Sequence, residues 1–333
     1  MTLPSPPPPP AVPGLHVNWT GPYRAGLRRH RDRALENGPY TMPIEEILTC
    51  VHSAYAWRAF HGGVALVTDE LGASYTAAQG LDVLYDRVDT RLDDLDALDV
   101  DPLLYFAAGK IYTALLYAAP FAVVDTDLYL RAPVGHLGRG GFVFAHWESV
   151  DNAVYPPPEE VPRPAGLELS RWLFDTPAAN MALSVFLDDR HRAEYAEAAM
   201  AFMTGNAGPS ATEPIVRQTF AEQRLAPAVA RSLGVDLRPL TDRFWVVETE
   251  EWDGPSHAGR FHHTWNQKRL LRQFPELRPA YWRYLLEDLL WNHPGAADLL
   301  PSVPALAGCA DLVHAVRRDL AAHGPSVLDW KTA

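Results

Sequence analysis

Through the first half of the chain, short apolar runs that end on polar residues alternate with stretches of helical spacing. LHVNW (Leu15 to Trp19) closes on a polar, aromatic pair. From Pro43 to Phe60, Ile44, Ile47, Leu48, Val51, Ala54 and Tyr55 recur at three- and four-residue intervals. Pro43 near the start and Glu45 and Glu46 in the first turn complete the signature of an amphipathic helix. Gly62 and Gly63 stop it, and VALVTDE follows as an apolar strand running into Thr68, Asp69 and Glu70. Leu71 to Gly80 reads as helix, Val83 to Val88 as strand, and Leu103 to Ala118 as a helix that carries Lys110 and breaks at Pro120. FAVVDTDLYL (Phe121 to Leu130) is an apolar run that reaches two aspartates, and Gly141 to Glu148 is a further strand. Strand and helix in alternation predict an α/β layered domain with a largely parallel sheet. In such sheets ligands gather at the carboxyl ends of strands, where Asp69, Asp125 and Asp127 fall.

The second half has a different texture. Pro156, Pro157, Pro158, Pro162 and Pro164 mark a loop, and Arg192 to Met203 and Glu213 to Leu233 are helical. Arg243 to Thr249 reads as a strand and Leu277 to Trp291 as an amphipathic helix. The expected organisation is a disordered proline-rich tail over 1–13, an α/β domain over 14–270 and a helical C-terminal extension over 271–333.

Composition narrows the function. With 47% hydrophobic and 21% charged residues, the chain is a globular protein. Lys+Arg 29 against Asp+Glu 41 gives a net charge of −12, which argues against non-specific nucleic-acid binding. A small basic site for one phosphorylated ligand stays open. Much of the negative charge lies between Asp82 and Asp101 and reads as solvated surface; the Arg24 to Arg33 cluster reads as a solvated helix face. The opening MTLPSPPPPP reads as a polyproline II tail. Two cysteines, Cys50 and Cys309, fit a reducing cytoplasm, and no apolar run reaches the ~18 residues of a membrane span. Ten tryptophans either fill a large core or hold a flat ligand.

The sharpest local signal is Asp125-Thr126-Asp127 after the run Phe121 to Val124. Two carboxylates one residue apart, where a buried strand opens into a turn, can hold a hard divalent cation. Mg²⁺ or Mn²⁺ so held neutralises a diphosphate as it leaves. With Lys110 on the preceding helix, AAGKIYTALLYAAPFAVVDTDLYL resembles the nucleotide-sugar-dependent glycosyltransferases of the GT-A fold, with a mostly parallel mixed sheet flanked by helices. The resemblance implies that Lys110 faces the donor phosphates and that Asp125 and Asp127 carry the metal. It implies that Asp69 touches the nucleoside and that Asn18 and Trp19 flank the base. RFHHTWNQKR (Arg260 to Arg269) resembles the late His segment, which implies His262 or His263 as a further metal ligand and Lys268 as a phosphate contact. The glycine usual between that His and the basic residue is absent. Neighbouring residues of a strand face opposite ways, so at most one of the two histidines serves.

An inverting transfer needs a base near the acceptor hydroxyl, and the resemblance implies Glu222 or Asp175 there. Asn180, Trp147, His146 and Glu148 are expected around the sugar. The expected partners are a nucleoside diphosphate sugar as donor and a small-molecule, peptide or glycan acceptor. Three alternatives compete. A haloacid dehalogenase-type phosphatase also follows an apolar strand with Asp-x-Asp, but this chain has no Gly-Asp dipeptide. A class I terpene cyclase would use Asp93, Asp94 and Asp96 with Asn180, Ser184 and Asp188, in an all-helical fold. A GT-A-like module could also bind without turnover.

Overall fold

The computed structural model describes residues 11–29, 39–135, 137, 140–150, 153–206, 214–242, 244–245 and 260–325. Its first described residues already pack: Val12 is fully buried and its carbonyl accepts the Trp57 indole N–H at 3.1 Å. Strand β1 (Gly14–Asn18) and helix α1 (Gly21–Arg29) follow, then α2 (Ile44–His61), β2 (Val64–Thr68), α3 (Glu70–Ala78), β3 (Arg87–Asp89) and α4 (Ala108–Leu116). Next come β4 (Phe121–Val124), β5 (Leu128–Leu130), β6 (Phe142–Phe144), β7 (Trp147–Glu148), β8 (Ala178–Ala179) and β9 (Leu183–Phe186). Helices α5 (Asp189–Met203), α6 (Pro214–Thr219) and α7 (Leu225–Ser232) lead to β10 (Leu237–Pro239), β11 (Phe244–Trp245) and β12 (Phe261–His263). Helices α8 (Trp265–Gln273), α9 (Arg278–Asn292), α10 (Ala296–Leu299) and α11 (Ala310–His323) complete the chain.

Seven strands form one sheet in the order β10-β6-β9-β4-β1-β2-β3. Every pairing is parallel except the two that β9 makes, with β4 and with β6. This is the largely parallel sheet that the alternating pattern predicts, mixed and flanked by helices as the resemblance implies. It excludes the all-helical cyclase fold: Ser184 of that reading lies inside β9, and β1 pairs with both β2 and β4. Two smaller sheets have the orders β11-β7-β8 and β12-β5.

Strand β4 shows why its four residues are all apolar. Phe121 and Val123 enter a core shared with Ile111 of α4 and Tyr195 of α5, while Ala122 and Val124 enter the core under Trp57 of α2. Side chains alternate across a strand, so a strand covered on both faces must be apolar throughout. A third core joins Ile47, Leu48 and Val51 of α2 to Leu285 and Leu289 of α9 and Val313 and Val316 of α11. The C-terminal helices thus share a core with α2 instead of standing apart.

Several expected elements are shorter than their patterns. The helix of 103–118 starts at Ala108 because Leu103 to Tyr105 turn back onto Asp101. The strand of 83–88 shrinks to Arg87–Asp89 behind a 3₁₀ turn at Asp82–Leu84. The strand of 243–249 is seen as β11, and its remaining residues lie outside the described ones, as do Arg31 and Arg33. Among the described residues, no single helix is long and apolar enough to cross a membrane.

Candidate active site

At the carboxyl end of β4, the Asp125 N–H donates to the Ala182 carbonyl (2.8 Å) and the Leu128 N–H to the Asp125 carbonyl (3.0 Å). That tight turn carries the chain from the main sheet into β5. Strand β12 pairs antiparallel with β5, His263 opposite Leu128 and His262 opposite Tyr129. The alternation then separates the two histidines. His263 Nε2 lies 3.5 Å from Asp127 Oδ1. His262 turns the other way, where its Nε2 meets the Tyr281 hydroxyl at 2.8 Å, and burial lowers its pKa to about 3. Of the two expected ligands, the structure brings His263 to the acids and removes His262 from them.

Asp125, Asp127 and His263 each offer one atom, all within 4.8 Å of one another. An octahedral ion with bonds near 2.1 Å spans about 3–4 Å between its ligands, so small side-chain adjustments suffice. Two carboxylate oxygens and one imidazole can serve a divalent cation. Around these atoms lies a cavity of about 500 Å³ lined by Asp125, Asp127, Glu148, Glu222, Lys110 and Lys268 among others. Four carboxylates against two ammoniums leave two formal negative charges, the deficit a divalent cation cancels. These residues fit a metal.

Both lysines are tied to the acids. Lys110 Nζ lies 3.0 Å from Asp125 Oδ1 and against Glu222 Oε1. Lys268 Nζ lies 3.0 Å from Asp127 Oδ2 and 2.8 Å from Glu46 Oε1. Burial pushes Asp125 up against the pull of Lys110. Burial would raise Asp127 as well, but Lys268 and His263 outweigh it and hold the carboxyl well below its usual range. Both ammoniums, though desolvated, are held up by their carboxylates.

Local sequence explains how Lys110 arrives. A Cβ on Gly109 would stand 2.8 Å from Trp19 Cβ and 3.2 Å from Leu92 Cδ1, so only glycine lets α4 approach the end of β1 this closely. Glu222 comes from a π-helical turn, Phe220–Arg224, between α6 and α7. Such single turns of wider helix recur at functional sites. Gln218 Nε2 donates to Glu222 Oε2 at 3.1 Å.

On another wall, Glu148 of β7 is buried yet faces the cavity. Its Oε1 accepts from Asn180 Nδ2 at 2.6 Å, and its Oε2 meets the Tyr155 hydroxyl, which also reaches Gln223 Oε1. The Ala182 N–H donates to Asn180 Oδ1 at 3.1 Å, which fixes the amide's orientation. Burial raises the Glu148 pKa despite these donors.

A family of unknown function, DUF6734, matches residues 19–155, the part that holds Trp19, Lys110 and the Asp125-Thr126-Asp127 turn. No curated protein matches the chain. Among solved structures it is similar to the PaToxG glycosyltransferase, at 10% identity and a TM-score of 0.32, over 69% of this chain and 80% of that one. It is similar also to mouse xyloside xylosyltransferase 1 in its apo form, at 10% identity and a TM-score of 0.33, over 72% and 85%.

Of the remaining expected residues, Asn18, Trp19, Asn180 and Glu222 line the cavity. Asp69 does not. It is fully buried and caps α3 by accepting from the Gly72 N–H (2.9 Å), and it takes the Thr20 N–H (2.9 Å), the Thr20 hydroxyl (2.7 Å) and Arg24 Nη2 (3.1 Å). Its oxygens are committed to the fold, not to a nucleoside. Asp175 is half exposed, pairs with Arg231 at 3.3 Å and lies off the cavity. Trp147 packs edge-on against Phe144, and the buried His146 ring meets the Trp147 carbonyl at 3.0 Å, both off the cavity. Sequence reasoning missed Tyr155, which has no local cue, and Gln218 and Gln223, whose cue is one polar face on the helix from Gln218 to Gln223.

Proposed function

We propose that this chain is a metal-dependent glycosyltransferase that moves a sugar from a nucleoside diphosphate donor to a hydroxylated acceptor. The observation that carries the reading is the convergence of Asp125, Asp127 and His263 at the strand ends, between Lys110 and Lys268, on one cavity. When bound, Mn²⁺ or Mg²⁺ would supply charge neutralisation for the departing diphosphate. Asp125, Asp127 and His263 would hold it. Lys268 stands where it can trade part of its contact with Asp127 for a phosphate oxygen. Lys110 orders Asp125 and Glu222 as much as it offers charge to a ligand. Asn18 and Trp19 line the wall at the end of β1, the place for the base.

Glu148 and Asn180 form a buried acid–amide pair, which suits the paired donors and acceptors of sugar hydroxyls. Glu222 is the cavity acid best placed to take a proton from an acceptor, with Gln218 and Lys110 fixing its two oxygens. Most of the rate would come from charge already in position, not from covalent chemistry. Two free, buried cysteines, Cys50 and Cys309, are compatible with the cytoplasmic setting proposed for it.

The test is to incubate the purified chain with Mn²⁺ and a panel of nucleotide sugars, following binding and donor hydrolysis. Cation-dependent donor binding is expected, and Asp127→Asn is expected to abolish it with the far-UV spectrum unchanged. Binding without turnover would support the non-catalytic module. No donor binding at all would sink the reading.

A further inference from the structure

The strand that carries His263 is braced from behind by a C-terminal helix. Tyr281 of α9 is fully buried, and its hydroxyl donates to Thr264 Oγ1 at 2.9 Å while lying 2.8 Å from His262 Nε2. A phenol has one proton. With that proton on Thr264, the His262 ring is the donor at Nε2. Its Nδ1 then faces the Tyr284 hydroxyl at 3.5 Å, and that same oxygen accepts from Arg131 Nη2 at 2.6 Å. The Thr264 N–H closes onto the Asp127 carbonyl at 2.9 Å. Tyr281 therefore grips the residue on each side of His263, and one of the two is bonded to the backbone of Asp127. Neither Tyr281, His262 nor Thr264 lines the cavity.

We infer that Tyr281 is a positioning residue for the metal site: by fixing the backbone of residues 262–264, it sets the placement of His263 against Asp127. This rests on the cation site proposed for Asp125, Asp127 and His263. Loss of the hydroxyl leaves the His262 N–H and the Thr264 hydroxyl without this partner in a buried place, and both relax to find another. Outer contacts of this kind change metal affinity by roughly 10- to 100-fold.

Mn²⁺ affinity measured by titration calorimetry on the full chain, with no donor present, tests it. Tyr281→Phe is expected to weaken Mn²⁺ binding about 10- to 100-fold. Thr264→Val, which removes the acceptor from the other end, should do the same, and Thr264→Ser should keep near wild-type affinity. The Thr264 pair carries the test if Tyr281→Phe fails to fold. Leu285→Ala, buried on the same helix, should lower the unfolding midpoint and leave Mn²⁺ affinity unchanged. Wild-type affinity in both Tyr281→Phe and Thr264→Val overturns the inference, and so does an equal loss in Leu285→Ala, which marks general loosening. If the wild-type chain binds no Mn²⁺, the cation site and this inference fall together.

Discussion

Lys110 is pinned to the cavity wall: its ammonium is held between Asp125, at 3.0 Å, and Glu222. It is the cation that lets two carboxylates from distant parts of the chain, the β4 turn and the π-helical turn, share one wall. Lys110→Met should therefore destabilise the fold by about 3 kcal/mol, the cost of leaving buried carboxylates without their partner. Urea denaturation checks this. Added Mn²⁺ should recover more stability in the variant than in the wild type, because the ion replaces the missing charge. Equal recovery in both would contradict that role.

Asp69 makes the opposite case, an acid whose work is done inside the fold. Asp69→Ala removes the cap of α3 and the acceptor of Thr20 and Arg24, and should cost about 3 kcal/mol. Mn²⁺ affinity should be unchanged. A selective loss of ligand binding with normal stability would restore its expected contact with the nucleoside.

Gly109 sets how near α4 comes to β1. Gly109→Ala should cost about 1–3 kcal/mol through overpacking against Trp19 and Leu92, and should weaken ligand binding by shifting Lys110. Gly26→Ala in α1, where a Cβ would meet nothing within 4 Å, is the control and should be neutral or stabilising by up to about 1 kcal/mol. Equal melting temperatures for the two variants would contradict the close approach.

The buried histidines predict acid sensitivity. Burial lowers His16 to about 3, and His61 and His191 to about 4, against 6.5 for the free side chain. Below pH 6.5 the unfolded chain takes up protons that the folded one refuses. Stability is thus fully present above 6.5 and is lost progressively as the pH falls towards the folded values. Urea midpoints at pH 7.5 and pH 5 should differ strongly. Equal midpoints would mean that these rings are not kept neutral by burial.

How much of this could be read from the chain divides along physical lines. FAVV followed by two aspartates is legible, because a strand buried on both faces must be apolar and an acid at its end must then be a turn or a ligand. Lys110 is legible from helical period. The choice between His262 and His263 is not, since alternation says that they diverge and only the pairing of β12 with β5 says which faces Asp127. Asp69 carried a readable cap signal, an acid directly before a helix, that competes with any functional reading of a strand-end acid. The Asp82 to Asp101 acids, expected as bare surface, include local anchors: Asp86 takes the Val64 N–H, Asp93 the Glu70 N–H, and Asp96 holds Arg24. Gln218 meets Glu222 one helical turn away, but the reach of Tyr155 to both Glu148 and Gln223 comes only from tertiary packing, which no local pattern encodes.

The reversal of β9 has one further effect. Because this strand runs against its neighbours, its leading residues, Asn180 and Ala182, arrive at the rim where β4 and β6 end. The walls of the cavity are thereby supplied from separate segments of chain: Asp125, Asp127 and His263 from the β4–β5 turn and β12, Glu148 and Asn180 from β7 and the approach to β9. The long connection between β7 and β8 adds Tyr155 to the same wall and packs Val161, Leu169 and Trp172 into the core behind β4. A change on the Glu148–Asn180 side therefore leaves the backbone that carries Asp125, Asp127 and His263 untouched, so the two halves of the proposed site can be altered one at a time.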